Sequence, residues 1–115
     1  MSFAATYPAP SETSATARQV SGWYAAHALY LLGRAERADD DHVRALVELA
    51  GSKAETAFTL WCWHDPKSGA THDLAAQALM TGLTGGGGWV SGTCESIAAQ
   101  GGYDPTKARA AGYES

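Results

Sequence analysis

Four side chains of the kind that zinc prefers, Cys62, His64, His72 and Cys94, lie within one stretch of the chain. Thiolates and imidazoles at tetrahedral spacing would hold the metal, either closed as a structural site or with a position left for water. The spacing does not favour it. Structural zinc sites usually bring their ligands in close pairs on tight turns, whereas Cys62 and His64 on a helix end would point about 200° apart. A buried cysteine and surface histidines are the plainer expectation, and zinc is kept as the alternative.

The same stretch contains the parts of a nucleophilic site. Cys94 or Ser91 could be activated by His64 or His72, with Asp65 or Asp73 orienting the imidazole. A thiol at a helix start would gain from the dipole, which lowers its pKa and supplies N–H donors for an oxyanion. Adjacent His and Asp occur by chance in many chains, so no catalytic residue is assigned. The glycine run Gly85 to Gly88 lacks the spacing of a phosphate loop and its following Lys-Ser or Lys-Thr. No strand precedes it, so a dinucleotide fingerprint fails as well.

Aromatic residues make the stronger case for contact. In Trp61-Cys62-Trp63-His64 the indoles face different directions, and Trp61 continues an apolar face while Trp63 leaves it. An indole outside the core suits a partner or ligand, because tryptophan is enriched at binding hot spots. The expected contact residues are Trp63, Trp89, Trp23 and Tyr24, the last two doubling as core candidates. His27 falls on an apolar face, where a hydrogen-bonded buried imidazole is the common state. His42 stands beside Asp39, Asp40 and Asp41, a run that reads as a helix cap and lacks a calcium-loop pattern.

The elements that must position these residues read as helices. Val20, Trp23, Tyr24, His27, Ala28 and Leu31 recur at three- and four-residue steps, with Gly33 as a C-terminal cap. Ala26, Leu29, Tyr30 and Leu32 widen that face, which makes this helix central. After the aspartates, Val43, Leu46, Val47, Ala50, Ala54, Ala57, Phe58 and Trp61 keep the helical period until Pro66 ends it. Thr71 and Asp73 start a third helix along Leu74, Ala75, Ala78, Leu79 and Leu83. A glycine-rich connection follows, then a short helix from about Thr93 to Gln100 capped by Gly101, and another opened by Asp104-Pro105 and stopped at Gly112.

The expectation is therefore an all-α fold: a small helical bundle of three main helices, 13–34, 40–64 and 71–83, with two short C-terminal helices. An extended N-terminal arm (1–10) precedes a single helical domain (11–112) and a short tail (113–115). At 115 residues one core is expected, and 45% hydrophobic content with four Trp, five Tyr and two Phe is enough to build it.

Charge narrows the function. The net charge is −4, and no Lys or Arg lies between Lys67 and Lys107, whereas Asp73, Glu95 and Asp104 do. Nucleic-acid binding is not expected, since it needs a basic stripe. The longest apolar run, Ala25 to Leu32, is too short to span a bilayer, so no membrane is expected. No basic and then apolar leader opens MSFAATYPAP, which points to a reducing cytoplasm. Charged residues amount to 17%, below the usual quarter, as in chains whose surface is covered by a partner. These features favour a non-enzymatic helical interaction or structural module, self-associating or a subunit of a larger assembly and with no cofactor. A small metal- or ligand-dependent enzyme with the Cys/His site is the alternative.

Overall fold

The computed structural model describes residues 3, 7–10, 17–64 and 87–113, with the side chains of 17, 62–64 and 87–91 excepted. These residues form four helices and no strand: α1 (Ala17–Arg37), α2 (Asp40–His64), α3 (Gly87–Gln100) and α4 (Pro105–Tyr113). The helix expected over 71–83 lies outside the described residues.

Helix α1 is the axis of the fold, in contact with α2, α3 and α4. Its burial shows why. Ser21, Trp23, Ala25, Ala26, Ala28, Leu29, Tyr30 and Leu31 are all buried, so the helix is covered nearly all round, as a helix with several neighbours must be. Helix α2 instead buries a stripe, Ala50, Ala54, Ala57 and Phe58, and α3 buries Cys94, Ile97 and Ala98 at helical spacing. The first turns of α2 lie shallower: Val43, Leu46 and Val47, expected on its core face, are half-buried.

Local chemistry sets several boundaries. Asp104 caps α4, its carboxylate accepting from the N–H groups of Thr106 (3.0 Å) and Lys107 (3.2 Å), while Pro105 fills the first helical position. At the start of α2 the Asp39 carbonyl accepts from the N–H groups of His42 and Val43 at 3.0 and 3.1 Å. The end of α3 is a Schellman turn, with Gly102 N–H donating to Ala99 C=O and Tyr103 N–H to Ala98 C=O. The residue in the left-handed conformation is Gly102, at φ +90°, not Gly101. Gly101 meets a different need: a Cβ there would lie 2.7 Å from the Gly22 Cα, so the two glycines let α1 and α3 touch backbone to backbone.

The expected stop at Gly33 does not occur, and α1 continues to Arg37. Gly33 is a contact point, where a Cβ would collide with the Arg109 carbonyl; one on Gly112 would strike the Tyr30 carbonyl. Packing against α4, not capping, accounts for this glycine.

Phe3, within the expected arm, belongs to the core. It is 1% exposed, and the Tyr7 N–H donates to its carbonyl at 2.7 Å.

Candidate functional site

Of the four zinc candidates, the structure describes the side chain of Cys94 alone; His72 and the side chains of Cys62 and His64 lie outside the described residues. Cys94 is fully buried on α3, and burial together with Glu95 pushes its thiol up to about 12. A thiolate is the form that attacks carbon or binds metal, and this environment opposes it. Among the described residues no three His, Cys, Asp or Glu side chains are grouped to hold a metal ion.

The aromatic candidates divide in the same way. The side chains of Trp63 and Trp89 are outside the described set. Trp23 is 8% exposed, and its indole N–H donates to the Tyr7 carbonyl at 2.7 Å, so it ties residues near the start of the chain to α1. Tyr24 is half-buried, set edge-on to Trp23 at 5.2 Å and carrying the Lys53 ammonium 5.7 Å above its ring. Trp61 is half-buried against the core and donates to Gln100 Oε1 across to α3, an acceptor shared with Arg18.

Around Trp23 a cluster assembles that has Phe3 at its centre. Phe3 stacks on Tyr7 (5.0 Å) and on His27 (4.7 Å, 17° between planes), and it packs tilted against Trp23 and Tyr30. Tyr103 closes the side of Tyr7 edge-on. His27 Nδ1 is buried without a hydrogen-bond partner among the described residues. Burial, aided by the positive charge of Lys53, lowers the His27 pKa from an ordinary 6.5 to about 4, so the imidazole is neutral at pH 7.

A second feature lies where α1 turns into α2. Arg34, Arg37 and Ala38 from one side and Asp39, His42, Ala45, Leu46 and Leu49 from the other enclose a groove of about 480 Å³. Leu49 is 46% exposed on its wall. Arg37 also lies over the Tyr113 ring at 5.3 Å, and the neighbouring Glu36 accepts from Arg109 and from the Tyr113 hydroxyl. Those bonds hold the Glu36 carboxyl below its usual range. At the other end the Asp39 carboxylate meets His42 Nδ1 at 2.5 Å, which lowers the Asp39 pKa.

Sequence reasoning did not single out this groove. The signal was present: Arg34 and Arg37 are three residues apart on the last turn of α1 and so share a face.

No protein-family model, curated protein or solved structure matches the chain. Among the described residues no helix is long and apolar enough to cross a membrane.

Proposed function

We propose that the chain is a non-enzymatic helical interaction module, self-associating or built into a larger assembly, and that the α1–α2 groove is its contact surface. The observation that carries this reading is the exposure of Leu49 above half-buried Leu46, beside the guanidinium groups of Arg34 and Arg37. Interfaces are built this way, from an apolar centre flanked by arginine, whose planar fork pairs with carboxylates and stacks on aromatic rings. A partner brings acidic and apolar groups to it. The buried thiol of Cys94, held in its neutral form, gives the competing Cys/His enzyme no support.

Light scattering at micromolar concentration and pull-down from a lysate test the proposal together with Leu49→Asp. The expected result is a mass above the monomer or a recovered partner, lost on substitution. A well-behaved monomer that recovers no partner removes the proposal. For the enzyme reading, stoichiometric zinc in protein purified without chelator is the result that would revive it.

A further inference from the structure

We propose that Phe3 and Tyr7 act as a strap on α1 that proton uptake by His27 releases, uncovering the aromatic side chains of Trp23, His27 and Tyr30.

Among the described residues four contacts hold the strap. Phe3 stacks on the His27 ring at 4.7 Å and fills the space between Trp23 and Tyr30, Tyr7 sets edge-on to Tyr103, and the Trp23 indole donates to the Tyr7 carbonyl. Three are aromatic, and Phe3, the most buried ring, makes two of them. Neutral imidazole suits the stack on Phe3, because a face-on stack needs no charge and asks for no counter-ion. Imidazolium does not. Its Nδ1–H would be a charged donor buried with no acceptor among the described residues.

The neighbours on each side reinforce this. From α2 the Lys53 ammonium, fixed over the Tyr24 ring, brings like charge to the imidazole. From α1 come Trp23, Tyr24 and Tyr30, and from the strap Phe3 and Tyr7, with Tyr103 behind Tyr7. A cation facing Phe3 gains some ring attraction, which burial and the Lys53 charge oppose.

The sign follows directly. The docked state has its His27 pKa lowered to about 4, and a released imidazole returns toward 6.5, so the released state binds the proton more tightly. Docking is fully favoured above 6.5 and is lost as the pH falls toward 4. Within that window the docking equilibrium weakens by up to about ten-fold for each pH unit.

The chain has two phenylalanines, Phe3 in the strap and Phe58 in the α1–α2 core, which supplies an internal control. Fluorine NMR of protein labelled with 4-fluorophenylalanine, titrated from pH 7.5 to 4, reads both. The expected result is that the Phe3 resonance moves to its solvent-exposed position while the Phe58 resonance stays. His27→Phe, which keeps a ring to stack on, holds Phe3 in place throughout. Lys53→Gln, which removes the like charge, raises the docked pKa toward the released one and so lowers the pH at which Phe3 is released. A Phe3 signal unchanged at pH 4, both signals moving together, or a midpoint indifferent to both substitutions overturns the proposal.

Discussion

A helix start is only as good as the groups that satisfy its free N–H donors, and Asp104 satisfies two of those in α4. Asp104→Ala leaves both without that acceptor and is expected to cost about 0.5–2 kcal/mol. Thermal unfolding measures it, and a change within error would show that water replaces the cap. The Asp104-Pro105 pair was legible in the sequence because its action is confined to a few adjacent residues. Asp39 was legible for the same reason, and α2 begins where Asp39 places it. The site residues were less so. Nothing in the order of residues tells that Phe3 reaches across to His27 and Tyr30, since that contact depends on where the chain folds back.

For the elements, the difference between glycine as a helix breaker and glycine as a contact decides what can be read. Gly33 and Gly101 look like stop signals, and in isolation they are poor helix formers. Gly33 lies inside α1 and is where it meets α4, whereas Gly101 does follow the last residue of α3 and is a contact with α1 as well. Tertiary contact outweighs local propensity at Gly33; α3 begins at Gly87, well before the expected Thr93. A pair of substitutions separates the two roles. Gly33→Ala drives a methyl into the Arg109 carbonyl and is expected to destabilise by about 1–3 kcal/mol. Gly92→Ala, on an exposed turn of α3 with nothing within 4 Å of the added carbon, is expected to stabilise by about 0.5–1 kcal/mol. Denaturant unfolding of the two variants checks this, and equal signs would refute it.

At the scale of the whole molecule the all-helical class and the central place of α1 were legible, because three- and four-residue periodicity survives whatever the helices pack against. The groove was not, because it lies between two elements and belongs to neither. Cys94 offers a measure of how the assembled core opens. Its thiol is fully buried and its pKa is pushed up to about 12, so in a Cys62→Ser background it should resist a thiol reagent at pH 8 until urea unfolds the protein. Labelling that tracks the loss of helical dichroism is the expected outcome; fast labelling in native buffer would mean that α3 opens locally.

The position of α1 also bears on how the chain is made. It leaves the ribosome before two of the surfaces that cover it, α3 and α4, which come from residues 87–113. Until those emerge, a nascent chain carries a half-clothed hydrophobic rod, the state in which growing polypeptides aggregate or recruit chaperones.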